Sequence, residues 1–257
     1  NLEKVFREFQ PEIVFHLAAQ PLVLKSYKEP KETFDINIGG TVNILESSRK
    51  TKSVKTIVNV TSDKCYLDVM PKKGYIETNR LGGYDCYSSS KAASELVTEA
   101  YRNSFFNPDN LASHNVCLSS VRAGNVIGGG DWNENRLIPD CIRSLEKNEN
   151  IYIRNPKYYR PWQHVLEPLN GYLILAEKMY NNPEEYSGSW NFGPNSDSII
   201  NVEAVVDKLI QFWGSGDWEL YDNNQEKVYE DKKLFLNPTK SHKLLDWNSK
   251  YNIDESI

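Results

Sequence analysis

Three short apolar runs, set between helix-patterned stretches, constrain this chain more than any single motif. Ile13-Val-Phe-His-Leu17, Thr56-Ile-Val-Asn-Val60 and Val116 to Val121 are too short for core helices and carry β-branched residues, so they read as strands. Ahead of the first, Leu2, Val5, Phe6 and Phe9 recur at helical spacing until Pro11 stops them. Between the others, a helix is expected from about Lys31 to Lys50, with Phe34, Ile38, Val42 and Leu45 on one face, and another from Tyr87 to Phe105. Strands that are apolar throughout are buried on both faces, which predicts a parallel sheet covered by helices over residues 1–125.

After Asn125 the texture changes. Gly, Asn and Pro become frequent, and helices expected over Leu137 to Leu145, Val165 to Tyr180 and Val202 to Trp213 are separated by irregular stretches. Short strands are expected near Ile151-Tyr-Ile153 and Ser189-Trp-Asn-Phe192, with a last helix opening at Asn237-Pro-Thr239. Residues 126–257 read as a smaller α/β lobe, crossing back to the sheet in places and packed at its carboxyl edge, where open α/β folds place ligands.

Composition narrows the function classes. With 6 Trp, 15 Tyr and 9 Phe in 257 residues the chain has ample material for a core. No apolar run approaches the roughly 18–20 residues of a membrane span, so no membrane association is expected. A net charge of −5 gives no basic face for nucleic acid. Cys65, Cys86, Cys117 and Cys141 are scattered without metal-ligand spacing; they read as reduced thiols of a cytoplasmic protein, and no metal site is expected.

The densest chemistry is Tyr87-Ser-Ser-Ser-Lys91, preceded by Thr61-Ser-Asp-Lys64 at a strand end. On a helix, residues 87 and 91 share a face, and an ammonium near a phenol favours phenolate, a base usable near neutral pH. Ser62 could share a substrate oxygen with that phenol. Alone, such a Tyr–Lys pair is more often an exposed helix pair than a catalytic one; the strand-end Ser-Asp gives it weight. His16, inside an apolar strand, reads as a core histidine, and Cys65 as packing. The Gly128-Gly-Gly130 run reads as a loop needing unusual backbone angles, and Gln225 to Lys233 as a solvated loop.

Five blocks place the chain beside a known family. His16-Leu-Ala-Ala-Gln-Pro-Leu-Val23, Thr61-Ser-Asp-Lys-Cys-Tyr66, Arg122-Ala-Gly-Asn-Val-Ile-Gly-Gly-Gly-Asp-Trp132, Arg136-Leu-Ile-Pro-Asp140 and Arg160-Pro-Trp-Gln-His-Val-Leu-Glu-Pro168 follow one another as in extended short-chain dehydrogenases/reductases acting on nucleotide sugars. More narrowly, the chain resembles the 4,6-dehydratases, lyases of deoxysugar biosynthesis. The resemblance implies a Rossmann-like doubly wound sheet, NAD as cofactor, CDP-glucose as substrate and a homodimer or higher homo-oligomer through the Tyr87 helix.

It also implies roles. Leu17, Ala18, Ala19 and Gln20 match the turn along the nicotinamide side of NAD, with Asn37 and Arg122 near it. Tyr87 and Lys91 match both ribose contacts and catalytic groups. Asn125 and Arg160 match positions holding the diphosphate, while Arg136, Leu137, Ile138 and Pro139 match a helix start near the nucleotide. Arg154 falls in the segment near the base, and His164 beside Arg160 is a candidate substrate contact. Ser62 and Tyr87 would serve oxidation at the sugar C4, and Asp63 would protonate the departing 6-hydroxyl. Lys64 stands where related dTDP-glucose enzymes carry Glu; it would stabilise the enolate or, as a neutral amine, remove the C5 proton.

No G-x-x-G-x-x-G phosphate loop occurs in the sequence. Against the family pattern, this implies a fragment that opens after the early β-α-β units, with an N-terminally truncated sheet, and stops within the closing segment. Asp85-Cys86 stands where the family shows Asp-Pro. The alternatives are an epimerase or reductase of the same superfamily, or a non-catalytic sugar-nucleotide-binding protein.

Overall fold

A computed structural model describes residues 1–69, 71–221 and 232–257. The chain begins with helix α1 (Leu2–Phe9), strand β1 (Ile13–His16) and helices α2 (Val23–Lys28), α3 (Pro30–Phe34) and α4 (Gly40–Arg49). Strand β2 (Thr56–Val60), the long helix α5 (Cys86–Phe105), a short α6 (Leu111–His114) and strand β3 (Cys117–Ala123) follow. The second half runs β4 (Val126–Ile127), α7 (Leu137–Glu146), β5 (Ile151–Ile153), β6 (Tyr159–Pro161), β7 (Gln163–His164) and α8 (Leu166–Asn181). It continues through α9 (Pro183–Tyr186), β8 (Gly188–Phe192), β9 (Ile199–Asn201), α10 (Val202–Trp213), β10 (Trp218–Leu220), α11 (Thr239–Leu245) and α12 (Ile253–Ser256).

The main sheet has the order β1-β2-β3-β8, and every pairing in it is parallel. Alternation along each strand feeds two cores. From β2, Ile57 joins Phe6, Val14, Leu45 and Leu118 on one face, while Val58 joins Val121, Trp190, Tyr172, Leu175 and Met179 on the other. Helix α8 covers that second face. Full burial of a Leu or Met side chain such as Leu175 or Met179 contributes about 1.5–3 kcal/mol. This double coverage is why the strand runs are apolar rather than alternating. The Ser189–Phe192 segment supplies β8, so the second half of the chain completes the sheet.

The helix expected over 31–50 is interrupted. A π turn over Asp35–Gly39 joins α3 to α4, adding a residue to the turn and displacing the side chains on it. Helix α5 starts where expected because Asp85 caps it, its carboxylate accepting from Ser88 N at 2.9 Å and Ser88 Oγ at 2.7 Å. Cys86 thereby fills the first helical position.

The remaining strands form two-stranded pairs, β5 with β10, β4 with β7 and β6 with β9. With α7, α10 and α12 they enclose a third core around Cys141, Ile151, Val205, Val206 and Trp162. The Gly run is a loop, as its sequence suggested: Gly130 has φ 86°, and a Cβ on Gly128 would lie 2.5 Å from Val165. Residues 225–231 of the stretch read as a solvated loop lie outside the described residues; Lys233 bridges to Tyr159.

Candidate active site

The carboxyl ends of β1, β2, β3 and β8 share one edge of the sheet, and most of the anticipated residues gather there. Beyond β2 the chain makes a single 3-10 turn, Asp63–Cys65. Ser62 caps it: its hydroxyl accepts from Lys64 N at 3.2 Å and donates to Asp63 Oδ1 at 3.0 Å. Asp63 is 4% exposed and Lys64 half-buried.

Tyr87 and Lys91, one turn apart on α5, face this turn. The Tyr87 phenol shares a hydrogen bond with Ser62. Lys91 Nζ donates to the Val60 carbonyl at 3.4 Å. The pairing of serine with phenol is therefore as the sequence suggested, but the electrostatics are not. Burial pushes the Tyr87 phenol up to about 12, and the Ser62 bond and Arg136 charge only partly oppose burial and Asp63. Burial likewise brings Lys91 down to about 8, with Cys65 and Glu95 opposing. The expected phenolate is thus a buried phenol in the protein by itself.

The turn after β1 divides into two roles. Leu17 and Ala18 are exposed at the mouth, while Gln20 is 4% exposed and its amide is engaged within the protein. Gln20 Nε2 donates to Thr33 Oγ1 at 2.8 Å, and its backbone N donates to Asn37 Oδ1 at 2.8 Å. Asn37, carried inward by the π turn, donates to the Gln20 carbonyl at 3.1 Å and to Ser90 Oγ at 2.8 Å. These two amides stand behind the turn and hold its shape, rather than lining its surface. His16, 7% exposed, is a core histidine as read, held down to about 4 by burial and the Lys91 charge.

Arg122 is the main correction. It is 2% exposed and turned into the interior, donating to Glu95 through Nε at 2.9 Å and Nη2 at 2.7 Å. Its Nη1 donates to Tyr66 Oη at 2.6 Å and the Glu77 carbonyl at 3.0 Å. A guanidinium so engaged has no edge to offer a nicotinamide. Burial would raise the Glu95 carboxyl, yet Arg122, Ser120 and Thr61 outweigh it and hold it below the usual carboxylate range. Sequence reading missed Glu95 and Tyr66; Glu95 could have been found as the next member of the 87-91-95 stripe.

Of the anticipated substrate residues, Arg136 stands immediately before α7 without capping it, has its Nε 3.5 Å from Asp131 Oδ2, and reaches Tyr87 electrostatically. Leu137 and Ile138 pack against the core around Cys141 and Ile151, and Pro139 is buried. Arg160 is 7% exposed, donates to the Tyr159 carbonyl at 2.8 Å and lies over Tyr158. The backbone of Asn125 accepts from Gln163 N, leaving its side chain half-exposed. Arg154 is exposed just past β5. His164 turns Nδ1 to Leu166 N at 3.2 Å and its ring to Tyr251, a structural placement. The four cysteines are free thiols, and among the described residues no group of His, Cys, Asp and Glu could hold a metal ion. No helix among them is long and apolar enough to cross a membrane.

A parallel sheet with a Tyr-x-x-x-Lys helix facing a strand-end serine is the architecture of the extended short-chain dehydrogenase/reductase class. Within it, the model of the GDP-mannose 4,6-dehydratase family matches residues 1–257, and the chain belongs to that family. The chain is 48% identical over 258 residues to CDP-glucose 4,6-dehydratase of Salmonella typhimurium, covering 100% of this chain and 71% of that protein. Among solved structures, UDP-glucose 4-epimerase of Thermotoga maritima with UDP-glucose superposes with TM-score 0.84 at 22% identity, over 99% of this chain and 77% of that one. A dTDP-glucose 4,6-dehydratase of Bacillus anthracis in complex with NAD superposes with TM-score 0.79 at 22% identity, over 99% and 73%.

Proposed function

We propose that the protein is an NAD-dependent CDP-glucose 4,6-dehydratase, forming CDP-4-keto-6-deoxyglucose. The observation that carries this reading is the seating of Asp63 beside the Ser62–Tyr87 pair on one strand end: a 4,6-dehydratase needs an acid for the leaving 6-hydroxyl, and an epimerase does not. The 48% identity to a relative of that name supports it.

The residues at the β1 and α5 ends fit the nicotinamide half of NAD. Leu17 presents an apolar side chain, 49% exposed, beside the catalytic helix, and the Lys91 ammonium has three donors, of which the Val60 carbonyl takes one. Leu17, Ala18 and Ala19 would line the ring and Tyr87 and Lys91 the ribose. When bound, NAD would supply the hydride acceptor for oxidation at C4 and, reduced, the hydride donor to C6 once water has left. The buried Tyr87 phenol, its ionisation favoured by the positive charge of a bound nicotinamide, would then take the proton of the sugar 4-hydroxyl, with Ser62 holding the same oxygen. Asp63 donates a proton to the 6-hydroxyl as water leaves. Lys64 offers positive charge to the enolate that would form as the C5 proton passes to solvent water. Arg160 and Asn125 hold the diphosphate, the start of α7 at Arg136 lies against the nucleotide, and Arg154 lies near the base.

The same reading makes the protein a cytoplasmic homodimer, with Leu96 and Phe105, exposed on α5, as dimer contacts. Incubating the protein with NAD and CDP-glucose tests it. An alkali-sensitive keto-sugar chromophore supports the reading; an inert mixture, or a C4 epimer as product, overturns it.

A further inference from the structure

The turn that carries Ser62, Asp63 and Lys64 is gripped at both flanks by one buried ion pair. Upstream, Thr61 Oγ1 donates to Glu95 Oε1 in a short hydrogen bond. Downstream, Tyr66 Oη accepts from Arg122 Nη1 at 2.6 Å, and the Arg122 guanidinium lies 4.8 Å from the Tyr66 ring centre. Glu95 and Arg122, each 2% exposed, join through two hydrogen bonds, and with the Thr61 bond already counted Ser120 Oγ adds a fourth to the carboxylate at 2.7 Å. Glu95 is one turn beyond Lys91 on α5 and Arg122 is on β3, so the pair ties the helix of Tyr87 to both ends of the facing turn.

We propose that Glu95 and Arg122 are positioning residues that set the register of Ser62 and Asp63 against Tyr87 and Lys91. Stability alone is a poor reason for the pair: buried ion pairs recover little beyond their desolvation cost, and apolar residues of similar volume often replace them without loss. Placement is a better one. Proton and hydride transfer need their groups held to a fraction of an ångström, and a displacement of about 1 Å can cost on the order of a hundredfold in rate. A turn held at one end could pivot about it; held at both, it cannot.

The inference rests on the dehydratase reading, and its test separates the two. Thr61→Val and Tyr66→Phe each delete one hydroxyl grip and leave the ion pair in place. The double variant is expected to fold, to lose about tenfold or more in kcat, and to keep its KM for CDP-glucose within about twofold. Thr61→Ser in place of Thr61→Val restores the upstream donor and should recover part of the loss. An unchanged kcat in the folded double variant overturns the proposal, as does a loss that only tracks Tm and that Thr61→Ser does not rescue. Crystal structures of the wild type and double variant give a readout independent of turnover. A longer Ser62 Oγ to Tyr87 Oη separation in the variant supports the brace, and an unchanged one overturns it. Should the wild type turn over no CDP-glucose, the dehydratase reading falls and that separation still decides the brace.

Discussion

Asn37 Nδ2 donates to Ser90 Oγ at 2.8 Å, tying the π turn after α3 to helix α5 across the site. The Ser90 hydroxyl passes the connection on to the carbonyl of Tyr87 at 2.7 Å. On its other side Asn37 exchanges two hydrogen bonds with the backbone of Gln20. The turn expected to line the nicotinamide is thus fixed to the helix bearing the catalytic phenol through one buried amide.

Replacement of that amide should loosen both. Asn37→Ala leaves the Gln20 amide and carbonyl without their partner in a region 3–4% exposed, and an orphaned buried polar group costs about 1–3 kcal/mol. Urea unfolding should show a lower midpoint, and calorimetry a weaker affinity for NAD. Wild-type values for both would mean that the turn keeps its shape without Asn37.

His16 makes stability depend on pH. Its folded-state value is about 4 against an ordinary 6.5, so between those values the unfolded chain binds the extra proton and the folded one does not. Stability is then full above about pH 6.5 and falls as pH drops towards 4. The contribution is up to about 3 kcal/mol at 1.36 kcal/mol per unit. Urea midpoints at pH 7 and pH 4.5 should differ more for the wild type than for His16→Gln; equal differences would assign the acid sensitivity to other groups.

Gly124 guards the space around Asp63. A Cβ there would stand 3.2 Å from Asp63 Oδ2 and 2.4 Å from the ring of Pro161. One of them must give, and Pro161 adjoins Arg160. Gly124→Ala should fold with near-native circular dichroism yet lose about tenfold or more in kcat. Steady-state kinetics with CDP-glucose check this.

How much of this arrangement could be read in advance depended on how local its signal was. Tyr87 and Lys91 lie one turn apart, and Ile13–His16 and Thr56–Val60 carry their burial in their own residues, so site and sheet were both legible. Arg122 was not: whether a strand arginine faces ligand or core is decided by Glu95 on α5, and nothing adjacent to it announces that partner. Asn37 was placed near the right turn but on the wrong side of it, because a π turn shifts a side chain without altering the apolar spacing around it. The rise of the Tyr87 phenol to about 12 follows from its burial, a tertiary property that a Tyr–Lys spacing does not encode.

On the proposed dehydratase reading, Lys64 would separate the oxidation chemistry from the loss of water. Its backbone N donates to Ser62 Oγ at 3.2 Å, so its main chain belongs to the catalytic turn whatever its side chain does. An ammonium following Asp63 is suited to stabilising an enolate, whereas acting as a base would require it to shed its proton beside a carboxylate. Lys64→Met keeps the backbone donor and most of the side-chain volume while removing the charge. Oxidation at C4 should therefore proceed, while exchange of the C5 hydrogen with deuterated solvent slows by about tenfold or more. Following that exchange by NMR on CDP-glucose, alongside the keto-sugar chromophore, distinguishes the two steps. Exchange at the wild-type rate in a folded Lys64→Met variant would remove the side chain from the mechanism altogether.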